Sequence, residues 1–205
     1  MTRGGRRAAR DYTGRMADDE PAGEVKQADL DAEAAARRRA ALTQIRQYGD
    51  PVLRMRAPEV ETFDDDLVRL VGRMKPLMAD AAGIGLAATQ VGILRRVFVF
   101  QPDPEADALA VVNPVLAERG DETAVEEEGC LSLQGVLVPV ERHTSVVLEG
   151  ADEHGEPLRL ELEGYGARVA QHELDHLDGV LRIDRTTPEA RREALAVLRP
   201  QLVLG

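Results

Sequence analysis

Tryptophan is absent from this sequence, and only three phenylalanines and three tyrosines are present. A hydrophobic core must therefore be built mainly from Leu, Val, Ile and Ala. The sequence also lacks an apolar run of the ~18 residues that a membrane-spanning helix needs, and its first seven residues, MTRGGRR, contain no apolar segment of the kind found in secretory signals. We therefore expect a cytoplasmic protein without a membrane-embedded part.

Cysteine is almost as scarce, because Cys130 is the single thiol in 205 residues. A lone cysteine excludes an internal disulfide framework and is typical of a reducing compartment. Basic residues are outnumbered, which gives a formal net charge of -11 and argues against a surface that binds nucleic acid. With 43% hydrophobic residues, a chain of this length can form one ordinary domain.

Large apolar residues are rare in residues 1–40, so we predict a disordered polar tail there and a single domain over residues 41–205. Ala28 to Ala40 is prone to helix formation, but such a helix would be polar and marginal. The Arg-rich start could be a targeting peptide, although acidic residues directly after Met16 argue against this. Met16 itself is an alternative start of the chain.

The rest of the sequence predicts short strands followed by a central helix, with a further helix at each end. Periodic apolar residues predict a helix from Phe63 to Ala81, which Pro76 should kink or end. A final helix should begin with Thr187 as N-cap and Pro188 as its first residue and should run to Pro200. Short strands are predicted at Arg96–Phe100, Ala110–Val115, Ser145–Glu149 and Leu158–Leu162. A turn at Asp152–Glu156 joins the last two. The pattern indicates an α+β fold, with small mixed or antiparallel strands around a central helix and helices at both ends.

That central helix carries the motif H-E-x-x-H in the segment from Gln171 to Gly179. His172 and His176 lie one turn apart on the same helical face, so both imidazoles can bind one metal ion. Glu173 points about 100° away and could act as a general base without being a ligand. The alternative is an ordinary solvated helix face, because His and Glu are common surface residues.

A catalytic metal normally has three protein ligands and one open position, so a third ligand is needed. The longer motif H-E-x-x-H-x-x-G-x-x-H fails at its last position, which is Arg182. Glu193, on a following helix, is one candidate ligand. Cys130 is another, because a thiolate binds zinc or ferrous iron strongly, although an isolated cysteine is more often a small buried apolar residue.

Three segments of the sequence together resemble the motifs of the peptide deformylase family. They are Gly83 to Gln90 (GIGLAATQ), Glu128 to Ser132 (EGCLS) and Gln171 to His176 (QHELDH), followed by Leu177 and Gly179. On its own, the first would be a tight loop of small residues. The resemblance extends from about Ile45 to the C-terminus. The chain departs from it at Leu133 to Leu137, where the family's proline after the second motif is missing.

The resemblance implies a hydrolase that removes the N-formyl group from the initiator methionine of nascent peptides. It implies that Cys130, His172 and His176 bind one metal ion, with Fe²⁺ as the native ion and zinc, nickel or cobalt as substitutes. It also implies that Glu173 is the general base. Some family members contact the ribosome through the C-terminal helix, so we expect the ribosome as a second partner.

Further roles follow from the same resemblance. The Gln90 side-chain amide and the Leu131 backbone N–H would stabilise negative charge on the formyl oxygen. Gly85 would bind the peptide backbone, while Ile84 and Val169 would contact the methionine side chain. Two other interpretations remain: an endopeptidase that uses Glu193 as third ligand, and a non-catalytic module that binds nascent-chain termini.

Overall fold

The computed structural model describes residues 22–103 and 105–198. These residues form helices and strands in an α+β arrangement, which confirms the predicted fold class. The helices are α1 (Ala22–Leu42), α2 (Asp65–Asp80), α3 (Gly164–Leu177) and α4 (Pro188–Leu198). The strands are β1 (Gly85–Ala87), β2 (Val97–Phe100), β3 (Leu109–Arg119), β4 (Thr123–Glu128), β5 (Val138–His143), β6 (Ser145–Ala151) and β7 (Pro157–Glu163).

Five strands form one antiparallel sheet in the order β1-β2-β3-β6-β7, and β4 and β5 form a separate two-stranded antiparallel ribbon. Strand β2 is buried along its whole length. Because successive side chains of a strand point to opposite faces, its residues enter two different cores. Val97 and Val99 pack in the cluster that contains residues of α2, whereas Phe98 and Phe100 pack in the cluster that contains residues of α3. Helices α2 and α3 therefore cover opposite faces of the sheet.

Helix α2 begins at Asp65, two residues after the predicted start at Phe63, and Asp64 is its N-cap, whose side chain accepts a hydrogen bond from the Leu67 N–H at 2.9 Å. Pro76 lies inside the helix, which nevertheless continues to Asp80. At the other end of the chain, the Thr187 hydroxyl accepts from the Ala190 N–H at 3.2 Å and caps α4 as expected. Pro200, the predicted end of that helix, lies outside the described residues.

The four predicted strands are present, although β3 runs four residues further than expected, to Arg119. Asp152 organises the turn between β6 and β7, because its carboxylate accepts from the N–H groups of His154 and Glu156. Strands β1, β4 and β5 were not predicted. The third apolar cluster lies beneath the β4–β5 ribbon and includes Val138 and Val140.

The N-terminal helix differs from the sequence expectation. A disordered tail was predicted over residues 1–40, but residues 22–42 form α1. Its last turn packs against the domain: Ala41 is buried, and Arg38 Nε donates to the Ala81 carbonyl at 3.2 Å. The start of the domain at residue 41 stays a prediction, and residues 1–21 lie outside the described residues. None of the described helices combines the length and apolarity needed to cross a membrane.

Candidate metal centre

Helix α3 and the loop that follows β4 bring together the three predicted metal ligands. His172 and His176 lie on α3, which begins at Gly164, earlier than the motif alone predicted. Cys130 lies two residues after the end of β4. The potential ligand atoms of these three residues all lie within 4.8 Å of one another, and Cys130 Sγ is 3.2 Å from His176 Nε2.

The chemistry of this group suits one divalent metal ion. Burial raises the pKa of the Cys130 thiol, but His176 and His172 outweigh this and bring the pKa well below its ordinary value. Burial lowers the pKa of His172, whereas its hydrogen bonds to Cys130 and Glu128 raise it to about 10, so a metal ion binds His172 in exchange for a proton. A thiolate with two imidazoles suits iron or zinc, and three protein ligands leave a position open. The residues therefore fit a catalytic metal.

Glu173 lies beside this group and is buried, with 3% of its surface exposed. Burial raises the pKa of its carboxyl group to about 7, which is the range in which a general base works well at neutral pH. Its Oε2 atom has no hydrogen-bond partner within the described part of the chain. The carboxylate packs directly against Gly85, where any Cβ atom would collide with it.

Gln90 lies in the short 3₁₀ helix that follows β1, and its side chain is held in one orientation. Its Oε1 accepts from the Ala87 N–H at 2.8 Å, so the amide nitrogen points towards the Cys130 loop. That nitrogen donates to Ser132 Oγ at 3.1 Å and lies 3.7 Å from Cys130 Sγ. The arrangement presents an N–H donor beside the metal ligands.

A cleft of about 770 Å³ opens onto these residues. Gly85, Ile84, Leu131 and Val169 line it, as do Gln90 and the candidate ligands Cys130 and His172. Ile84 is 47% exposed, whereas Val169 is 3% exposed. The structure therefore places all of the predicted substrate-binding residues along one cleft beside the candidate metal site.

A line of alternating charges, not predicted from the sequence, holds His172 from behind. Glu128 Oε2 accepts from His172 Nδ1 at 2.9 Å, which leaves Nε2 for a metal. Arg142 donates to both Glu128 oxygens and to Asp175, and Arg185 binds the far side of Asp175. Burial alone would raise the pKa of Glu128, but its bonds to His172 and Arg142 keep it well below its usual range.

The charged residues behind His172 could be predicted from the sequence only in part. Asp175 and Asp178, which lie on either side of His176 in the sequence, bind Arg142 and Arg96. Glu128 is the carboxylate that bonds to His172, and its place in the Cys130 motif was the available clue. Glu193, the alternative third ligand, is exposed on α4 and does not belong to the ligand group.

The fold and the site together define the class of the protein, an α+β protein with a group of residues that could hold a single metal ion. The family model for polypeptide deformylase matches residues 42–192. The chain belongs to this family, whose members act on formyl-peptides, and the resemblance seen in its three motifs is thereby confirmed.

Individual relatives agree with this assignment. Peptide deformylase 1 of Corynebacterium efficiens is 47% identical over 157 residues, which cover 76% of this chain and 93% of the relative. The crystal structure of peptide deformylase from Thermotoga maritima matches with a TM-score of 0.68 and 48% identity, covering 70% of this chain and 97% of that one. The enzyme from Synechococcus elongatus, crystallised with actinonin, has a TM-score of 0.71 and 40% identity, covering 75% of this chain and 85% of that one.

Proposed function

We propose that this protein removes the N-formyl group from the initiator methionine of nascent polypeptides and releases formate. Cys130, His172 and His176 hold one metal ion in this proposal, with Fe²⁺ as the native ion. The observation that carries the proposal is the convergence of these three side chains beside a buried carboxylate in a deformylase-family fold. We also assign the activity to a domain over residues 41–205.

Glu173 handles the proton in the proposed reaction. A divalent ion held by Cys130, His172 and His176 would lower the pKa of a water bound there and would polarise the formyl carbonyl. Glu173 accepts the proton that the water loses as its oxygen attacks the formyl carbon. When the C–N bond breaks, Glu173 returns this proton to the methionine nitrogen, which leaves as an amine. The buried position of Glu173 and its pKa of about 7 support both steps.

Gln90 and Leu131 stabilise the negative charge that develops on the formyl oxygen during attack. The Gln90 amide is held beforehand by the Ala87 N–H, so it need not reorganise as the charge forms. We assign the second donor to the Leu131 backbone N–H, since Leu131 lines the cleft next to Cys130. Loss of one such donor typically costs about 3 kcal/mol of transition-state stabilisation.

The substrate peptide lies along the cleft in an extended conformation. Gly85 binds its main chain, and this kind of pairing is independent of side-chain identity, as an enzyme for many nascent chains requires. Ile84 and Val169 form the apolar contact for the methionine side chain. We predict that Val169→Asp raises KM for formyl-Met peptides, because it would place a carboxylate in this apolar contact.

We further propose that the protein works in the cytoplasm and contacts the ribosome. Helix α4 is the assigned ribosome contact, although Arg191 and Arg192 each pair with an acidic neighbour on the protein itself. Arg191→Glu combined with Arg192→Glu should reduce co-sedimentation with ribosomes. Unchanged co-sedimentation would remove the ribosome from the list of partners.

The decisive experiment measures formate released from formyl-Met-Ala-Ser by protein that is purified without oxygen and loaded with iron. Glu173→Gln keeps the shape of the side chain and removes the base, so it should lower kcat by about 100-fold or more. Cys130→Ala should abolish iron retention. Full activity in Cys130→Ala would contradict the assigned ligand set, and no release by iron-loaded protein would contradict the assigned reaction.

A further inference from the structure

Arg182 is a buried arginine whose guanidinium donates three hydrogen bonds to main-chain oxygens, one at the end of β4 and two in the loop that follows it. Its side chain is among the largest fully buried side chains, with 2% exposure. Nη1 donates to the Glu128 carbonyl at 2.7 Å, and Nη2 donates to the carbonyls of Leu133 and Val136, each at 2.7 Å. A buried guanidinium is costly unless it is hydrogen-bonded. Nε has no hydrogen-bond partner within the described part of the chain, so Arg182 depends on the three bonds from Nη1 and Nη2, which hold it and the loop in one arrangement.

The loop is residues 129–137, between β4 and β5, and it carries the parts of the site that α3 does not. Cys130 and Leu131 lie near its beginning, and Leu133 and Val136 line the cleft. It contains two glycines and no proline, and Gly135 has a φ of +73°. Such a backbone has more conformational freedom than most. Other residues hold the loop at Leu131 and Ser132: Gln47 Nε2 donates to the Leu131 carbonyl at 3.2 Å, the Tyr48 N–H donates to the Ser132 carbonyl at 2.8 Å, and Gln90 bonds to Ser132 Oγ. Arg182 holds it at Leu133 and Val136.

The position of Arg182 in the chain gives these bonds a second consequence. Arg182 lies in the short 3₁₀ helix that follows α3 and its C-cap residue Asp178. Its guanidinium therefore connects the polypeptide that carries His172 and His176 to the loop that carries Cys130. In the longer motif H-E-x-x-H-x-x-G-x-x-H, the last histidine is a metal ligand, and this chain has Arg182 at that position. The Arg182 side chain packs against the loop.

We propose that Arg182 is a positioning residue for deformylation, which fixes the Cys130 loop relative to the two histidines of α3. By holding the loop at Glu128 on one side and at Leu133 and Val136 on the other, it sets where the Cys130 sulfur and the Leu131 N–H lie. The inference rests on the proposed function for its effect on catalysis. Its effects on loop mobility and on metal retention are independent of the reaction.

The test compares Arg182→Met and Arg182→Lys with the full-length protein loaded with zinc. Three quantities are measured: amide hydrogen exchange in residues 129–137, the rate of zinc loss to a chelator, and kcat and KM for a formyl-Met peptide. Arg96→Met is the matched control, because Arg96 is also buried but binds Asp178 and the Pro114 carbonyl, away from the loop.

Arg182→Met should speed exchange in residues 129–137 and lower zinc affinity by about 10-fold to 100-fold, as losses around ligands do. The factor by which kcat falls should exceed the factor by which KM rises, by about 10-fold. Arg182→Lys keeps the charge but not the forked donors, so its values should lie between those of the unsubstituted protein and Arg182→Met. If Arg182→Met does not fold, the lysine variant decides the question by the same three measurements.

The control separates positioning from general stability. Arg96→Met should lower the melting temperature while loop exchange and zinc affinity stay unchanged. If the Arg182 variants lose melting temperature but match Arg96→Met in exchange and zinc affinity, the proposal is wrong. A lack of formate release by the unsubstituted protein would overturn the proposed function instead, and loop exchange and zinc affinity would still decide the role of Arg182.

Discussion

Gly85→Ala is the most informative single substitution, because it moves the proposed base without touching it chemically. A Cβ atom at residue 85 would lie 2.6 Å from Glu173 Cδ and 2.8 Å from Glu173 Cγ, and closer still to Oε1. Ordinary contact begins at 3.4 Å. The Glu173 carboxylate must therefore move by roughly 1 Å, the scale of displacement that disrupts a near-attack arrangement.

The expected loss follows from that displacement. A misplacement of about 1 Å can reduce the rate about 100-fold, which is the lower end of what a general base contributes. We expect kcat for formate release to fall about 100-fold in Gly85→Ala. KM should change much less, because the main-chain groups of Gly85 remain available to the peptide.

Gly72→Ala is the control for this experiment. Gly72 is exposed in the middle of α2, and a Cβ there meets nothing within 4 Å. Replacing a glycine inside a helix with alanine should stabilise the protein by about 0.5–1 kcal/mol and leave kcat unchanged. If Gly85→Ala keeps kcat within about threefold of the unsubstituted protein, the assignment of Glu173 as the base at this place is refuted.

Three further predictions concern the charges around the site. Glu128→Gln weakens the bond that orients His172, so metal affinity should fall about 10-fold to 100-fold in a competition with a chelator. Arg142→Met removes the guanidinium that bonds to both Glu128 oxygens and leaves Arg168 as the remaining arginine on this buried carboxylate, so unfolding in urea should require about 3 kcal/mol less. Burial raises the pKa of the Asp184 carboxyl group, but its hydrogen bond to Arg54 outweighs this and keeps the pKa below its ordinary value of 3.8. Asp184→Asn should therefore destabilise at pH 7, by an amount that shrinks as the pH falls through and below 3.8.

Each of these predictions can fail clearly. An unchanged metal affinity in Glu128→Gln would show that His172 is oriented by other contacts. A loss below about 1 kcal/mol in Arg142→Met would mean that Glu128 finds new donors. The sign for Asp184 follows from its lowered pKa: the folded state favours the carboxylate, so its contribution is present above the unfolded pKa and is lost on acidification. An equal effect of Asp184→Asn at pH 7 and pH 3 would contradict this.

The part of the site that lies on α3 could be predicted from the geometry of an α-helix. The placement of His172, Glu173 and His176 depends only on the helical repeat, so their spacing was sufficient to propose a shared site. Cys130 lies 46 residues from His176, and no periodic pattern connects them. Its place among the ligands was assigned from the family resemblance, because residue types alone left Glu193 as an alternative.

The β4–β5 ribbon was missed for a different reason. Strand β4 is acidic and mostly exposed, and β5 contains Pro139, so neither has the alternating apolar pattern of a buried strand. The buried arginines could not be paired from sequence either. Arg182 and the Glu128 carbonyl that it binds are 54 residues apart, and such a bond depends on how the ribbon folds back onto the end of α3.

The alternating line of charges behind His172 has a consequence for how this protein can change over evolutionary time. It runs from His172 through Glu128, Arg142 and Asp175 to Arg185, whose side chain is 50% exposed. Each internal member bonds to the members on both sides of it, so a single replacement deprives a buried charge of one of its partners. Substitutions along the line are therefore coupled rather than additive. Lineages should exchange its members in compensating pairs, with most freedom at the exposed Arg185.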